Sequence, residues 1–317
     1  MGTQEIIEEL EARQLQPSRN NASKAFALTK LDYGLYAATV LAWGFSWYFI
    51  KLQAAVPSEL AIFWRFLLAA LIMGGWAYWG GHRLVFSIKE HASFAIIGAL
   101  LFSINFMFFY NGSSYLPSGL VSVIFSLASV INLALGFLLF RQRQDKKVLI
   151  GGLLGFAGIA LMFYPQIMQT GLLGTQSYGL LLCFAGTLCF CFGNMVSSKM
   201  QSKQLSVVSS SFYGMLYGSF YLACYCLWRG TGFNIPMDFS FLASLIYLVV
   251  VASVVAFGSY LTLLGRIGSA RAGYATVMFP VIALSVSTLL EGYTWTLPAF
   301  VGLSLVLFGN QLVLRYK

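Results

Sequence analysis

One arginine stands inside an otherwise lipid-soluble run: in AIFWRFLLAALIMGGWAYW, residues 61 to 79, Arg65 sits between Trp64 and Phe66. A charge in hydrocarbon costs about 2.5–3.5 kcal/mol on insertion scales, so this guanidinium needs a partner, a cavity or a route to the interface. Trp43 and Trp47 lie four residues apart and so share one helix face near the middle of another apolar run. Polar groups well inside such runs complete the set: Ser46, Asn105, Ser129, Asn132, Asn194, Ser253, Ser259 and Thr276, with the phenols of Tyr110, Tyr260 and Tyr274. Serine and threonine readily bond back to their own helix. An amide has four hydrogen-bonding sites that its own helix cannot fill, which singles out Asn105 and Asn132 for a cavity or an interhelical bond. Together these residues offer hydrogen bonds and aromatic walls to a small polar solute.

The types that are missing narrow the chemistry further. Every carboxylate falls outside the middle of an apolar run, with Glu59, Asp238 and Glu291 near one end, and both histidines, His82 and His91, lie in a single loop. Paired carboxylates, a metal-ligand cluster and a nucleophile with its base are all lacking at depth, which weighs against an enzyme and implies no metal or cofactor. Cys183, Cys189, Cys191, Cys224 and Cys226 have no acidic or histidine neighbours and read as small apolar packing residues. The glycines of GGLLGFAGIAL and GLSLVLFG lack the Lys-Ser/Thr of a phosphate loop and suit close helix packing instead.

The elements that must position these groups follow from composition. Of 317 residues 59% are apolar and only 9% charged, against about 25% charged in a soluble domain. The chain reads as an all-α integral membrane protein of the cytoplasmic or plasma membrane, multi-pass, with the lipid bilayer as its first partner. Apolar windows give ten transmembrane helices, at 33–53, 58–80, 92–111, 117–140, 148–164, 178–196, 207–227, 241–264, 272–290 and 297–314. With both termini cytoplasmic, sixteen of the nineteen Lys and Arg residues fall on the cytoplasmic side, and only Lys51 and Arg229 lie in outer loops. The net charge of +9 therefore reports membrane orientation and not a nucleic-acid partner. Residues 1–32 read as a cytoplasmic tail without a signal-peptide core.

Sliding the chain by about 150 residues lays SGLVSVIFSLAS onto SARAGYATVMFP, Gly151 onto Gly302 and Gly158 onto Gly309. Five helices thus lie on five, residues 33–164 on 178–317, and an odd number forces the two repeats to cross the membrane in opposite senses. Inverted repeats of this kind are widely used by secondary transporters, with a solute site near the midplane. A non-transporting sensor or scaffold, a channel and, more remotely, a lipid-modifying membrane enzyme are the alternatives. Composition suits a monomer and a homodimer equally.

The segments AWGFSWYFIK, PSELAIFWRFLLAALIM and FPVIALSVSTLLEGYTWTLPAFVGLSLVLFGNQLV resemble the EamA-type branch of the drug/metabolite transporter superfamily. Pro280, an expected helix kink, with Glu291 ahead of a Gly-rich last helix is part of that likeness. The resemblance implies export or exchange of small metabolites, often amino acids or related zwitterions, by alternating access through a central cavity. The first repeat departs from it, lacking the proline and carrying Gln142 near the usual acidic position. Without a midplane acid the expected mode is facilitated diffusion or exchange, not tight proton coupling. Arg65, seven residues into its span or roughly 10 Å deep, is expected to pair with Glu291 or Glu59 as an outer gate, ahead of the alternative that it meets a solute carboxylate directly.

Overall fold

The computed structural model describes residues 29–140, 146–170, 174–272 and 274–314. Hydrocarbon offers the backbone no hydrogen-bond partner, so apolar runs of this length close their bonds internally as helices. In order these are α1 (Lys30–Leu52), α2 (Ser58–Trp79), α3 (Ile88–Phe102), α4 (Ile104–Ser113), α5 (Ser118–Ser126), α6 (Ala128–Phe140), α7 (Lys146–Thr170), α8 (Thr175–Ser202), α9 (Val207–Arg229), α10 (Phe239–Ile246), a π-helical stretch Tyr247–Val255, α11 (Ala256–Ala272), α12 (Tyr274–Leu290) and α13 (Leu297–Leu314). No strand occurs among the described residues. The predicted tail, residues 1–32, falls outside them as far as residue 28.

Three runs are interrupted rods: α3 with α4, α5 with α6, and α10 with the π-helical stretch and α11. Counted this way, helices occupy each of the ten ranges read from the sequence, among the described residues. Five segments are long and apolar enough to cross a membrane, Ser58–Trp79, Ile88–Ser113, Ser118–Leu139, Thr175–Ser202 and Phe239–Ile267, and Ile150–Pro165, Met278–Leu290 and Leu297–Leu312 are shorter apolar helices. The remaining pair are diluted by polar residues: α1 holds charge at both ends, and α9 carries Ser209 to Ser211 and four tyrosines at four-residue spacing. Leu71, Trp79, Phe220, Trp228, Leu289 and Phe308 are exposed, as suits faces turned to lipid.

Two of these interruptions have a visible local cause or consequence. Ser103 leaves helical geometry at φ −140° and ψ −74°, and its hydroxyl donates back to the carbonyls of Gly98 at 3.1 Å and Ala99 at 3.0 Å. The π-helical stretch shifts the ladder from i→i−4 to i→i−5, a change often found at functional sites. It turns the Ala252 carbonyl to the Trp43 indole, whose Nε1 donates at 3.1 Å, and presents the Ser253 hydroxyl to Arg65. Pro280 lies inside α12, directly after Phe279 of the aromatic core.

Small residues set the closest helix pairs, since without a hydrophobic drive inside lipid, packing and close approach hold helices together. α7 and α13 lie against each other through glycines. A Cβ on Gly158 would sit 2.5 Å from the Gly302 carbonyl oxygen, and one on Gly309 would sit 2.5 Å from that of Gly151.

Candidate functional site

Aromatic side chains from five other runs converge on Trp43 and Trp47, which share a face as their spacing requires. Trp43 meets Phe125, Phe190, Phe257, Tyr260 and Phe279 with ring centroids 5.0–6.3 Å apart. Trp47 meets Phe109, Phe125 and Phe279. Between these rings lies a chamber of about 20 Å³, also lined by Ser46, Arg65, Asn105 and Phe106. That volume holds about one water molecule, so the conformation described here is closed around its centre.

Arg65 is the chemical centre of the chamber. Only 1% of it is exposed, so it does not snorkel to the interface. Its Nε donates to Ser253 Oγ at 2.9 Å, and the guanidinium lies over the rings of Phe106 at 4.4 Å and Phe66 at 5.0 Å, with Tyr110 alongside. The expected pair with Glu59 or Glu291 does not form, and no acidic side chain among the described residues bridges to Arg65. Both glutamates are engaged elsewhere. Glu291 accepts from Lys51 Nζ at 3.1 Å, from the Ser118 amide at 3.0 Å and from Ser287 Oγ at 3.1 Å. Glu59 accepts from Thr231 Oγ1 at 3.1 Å and lies 3.9 Å from Arg229 Nε. A helix face that turns inward carries its arginine away from groups held at the helix ends.

Glu291 therefore serves as a clasp: its carboxylate sits at the N-terminus of α5, where free backbone donors favour an anion, and ties α1, α5 and α12 together. Glu291→Ala is expected to cost on the order of 2 kcal/mol, the range for charge-assisted bonds lost inside a protein, while Lys51→Met costs less because Lys51 is part-exposed. Thermal melts of the detergent-purified variants check this order.

Two polar layers flank the chamber. On the side of Pro57, Tyr110 Oη donates to Gln53 Oε1 at 3.0 Å. Beyond it opens a polar cavity of about 440 Å³, lined by Gln53, Ser58, Glu59, Tyr110, Asn111 and Arg229 among others. On the other side Asn194 Nδ2 donates to Tyr260 Oη at 3.2 Å, and Asn132 flanks the same hydroxyl with neither amide atom hydrogen-bonded.

Of the candidates read from the sequence, Trp43, Ser46, Trp47 and Asn105 line the chamber, and Tyr110 borders it. Asn132, Asn194 and Tyr260 make the second layer. Ser129 instead bonds to Asn310 of α13, which also reaches Ser126, so this trio fastens helices together. Ser259 is buried outside the chamber lining. The side chains of Tyr274 and Thr276 lie outside the described residues. Gln53 and Asn310 were not singled out from sequence. Asn310 is an amide in an apolar run, the same signal that drew attention to Asn105, whereas Gln53 sits at a helix end where polar residues are ordinary.

An all-helical chain with long apolar helices, exposed apolar flanks and a sealed polar centre is a multi-pass membrane protein. The EamA-like transporter family matches residues 33–164 and 177–315, and the chain belongs to that family. It is 24% identical over 288 residues to an uncharacterized transporter of Archaeoglobus fulgidus, covering 89% of this chain and 98% of that one. It is 24% identical over 294 residues to a probable amino-acid metabolite efflux pump of Salmonella typhimurium, covering 89% and 94%. A solved crystal structure shares the fold, with a TM-score of 0.66 at 13% identity over 89% of this chain and 95% of that one.

Proposed function

We propose that this protein is a secondary transporter that exports or exchanges small polar metabolites, amino acids foremost, by alternating access. The observation that carries the reading is the central chamber: aromatic, closed, holding a buried cation and capped by a hydrogen-bonded phenol layer on either side. In this reading, Tyr110 with Gln53 closes the outer path and Tyr260 with Asn194 and Asn132 closes the inner one. The name of the Salmonella typhimurium relative supports amino-acid metabolites as the class of solute.

The ten helical runs cross the bilayer as two inverted five-helix repeats, 33–164 and 178–317, behind a tail at 1–32, with both termini cytoplasmic. The excess of Lys and Arg on one side supports the orientation. Packing supports the inversion. If Gly151 corresponds to Gly302 and Gly158 to Gly309, then the Gly158–Gly302 approach and the Gly151–Gly309 approach are one contact repeated by a two-fold axis. Likewise α2 packs on α9 and α5 on α12, each helix on its counterpart.

Reconstitution tests the reading. Radiolabelled amino acids should enter liposomes containing the protein faster than protein-free liposomes, and equal rates for every solute would refute transport. No carboxylate lines the chamber, so a pH gradient imposed without a solute gradient should drive no accumulation. Net uptake against the solute gradient under that condition would show proton coupling instead.

A further inference from the structure

We propose that the chamber recognises its solute through a carboxylate, held by Arg65, Asn105 and Trp47, and makes no matching demand on an amino group. This rests on the transport reading and specifies what that reading leaves open, the chemical class of the solute.

The inference follows from which polar atoms of the chamber-lining residues lack a partner. Arg65 Nη1, Asn105 Nδ2 and Trp47 Nε1 are all buried without a hydrogen bond, on residues only 1%, 1% and 6% exposed. All three residues line the same chamber. All three free atoms are donors. Indole and guanidinium offer nothing else, and the acceptor end of Asn105 is already taken by the Phe106 amide at 2.8 Å, which leaves the NH2 end free. The other donors of the lining are used: the Ser46 hydroxyl donates to the Trp43 carbonyl at 2.9 Å, and the Trp43 indole donates to the Ala252 carbonyl.

A buried donor left unmade costs about 1–3 kcal/mol, so three on the residues of one chamber wall point to a partner rich in lone pairs. A carboxylate supplies about four acceptor sites and one negative charge, matching one uncompensated guanidinium. A phosphate dianion brings twice that charge against the same single cation. An ammonium group meets a weaker offer: the lining's acceptors are the neutral oxygens of Ser46 and Asn105, each already engaged in one hydrogen bond, no carboxylate faces them, and a guanidinium lies nearby to repel it. The rings of Phe109, Phe125, Phe190 and Phe257 are left for the apolar remainder of the solute.

The test compares three forms of one side chain on the purified full-length protein: phenylalanine, 3-phenylpropionate, which lacks the amine, and phenethylamine, which lacks the carboxylate. The same trio is run for leucine, and inorganic phosphate is included. Binding is measured by calorimetry, and flux in proteoliposomes. For at least one trio the deaminated acid should bind within a few-fold of the amino acid, and the amine about 10- to 100-fold more weakly, the span expected for losing charge-assisted bonds. Arg65→Gln should weaken both acids by a similar factor. Ser253→Ala, a smaller change that frees Arg65 Nε, should weaken them less while leaving the protein monodisperse.

Equal binding of amine and acid, phosphate binding as tightly as the acids, unchanged acid affinity in a folded Arg65→Gln protein, or no binding of any carboxylate would each overturn the inference. Flux of the amine or of a neutral solute would overturn it and leave the transport reading standing. Absence of flux for every solute would remove the transport reading itself.

Discussion

Arg65→Met is expected to give a protein that melts later than the wild type and transports nothing. A buried charge carries an effective desolvation penalty of several kcal/mol, and replacing buried ionic groups by apolar residues of similar volume is often stabilising by about 1–4 kcal/mol. Here the compensation is partial: one bond to Ser253, two ring faces and a neighbouring phenol, with no acid bridging to it and Nη1 unpartnered. Methionine is flexible enough to fill the space between Phe66 and Phe106. A rise in thermal midpoint together with flux at background would mark a residue kept for its work on the solute at a cost in stability. A lower midpoint would instead make Arg65 a structural fastener.

Gly158→Leu and Gly309→Leu are expected to prevent folding, and to do so equally. Each position has a carbonyl oxygen 2.5 Å from where a Cβ would stand, and for Gly158 the Val306 backbone nitrogen is at 2.9 Å, for Gly309 that of Gly155 at 3.0 Å. Backbone cannot step aside as a side chain can, so α7 and α13 must separate, a penalty on the order of 3 kcal/mol or more. Equality is the informative part, because the proposed two-fold axis through the pair would make the two sites equivalent. Gly258, with nothing within 4 Å, is the control, and Gly258→Ala should be tolerated. Size-exclusion profiles after detergent extraction read all three variants. A well-folded Gly309→Leu beside a collapsed Gly158→Leu would break the equivalence.

The sequence exposed the helical runs because apolar stretches of span length leave few other folds. It also exposed the chamber's main walls. Trp43 and Trp47 are tied to one face by their spacing, and Asn105 stands out as an amide where amides are costly. What it concealed was rotation. In AIFWRFLLAALIM nearly every position is apolar, so no polar stripe shows which face of α2 turns inward, and the sequence points Arg65 to partners at the helix end, whereas its bond is to Ser253 on a distant run. The π-helical stretch was equally hidden, since YLVVVASVV contains no proline or glycine to mark a changed ladder. Ser129 and Ser46 look alike in sequence. Packing alone sends one to Asn310 and the other to the chamber.

If solute crosses through a chamber that opens to one side at a time, counterflow reveals it. Proteoliposomes are loaded with millimolar unlabelled phenylalanine or leucine and diluted into a trace of the labelled form, with valinomycin and potassium holding the membrane potential at zero. Alternating access predicts a transient accumulation of label above the external concentration, absent in Arg65→Gln liposomes. Label that merely rises to equilibrium at a rate indifferent to the internal load would show an open pore and rule out alternating access.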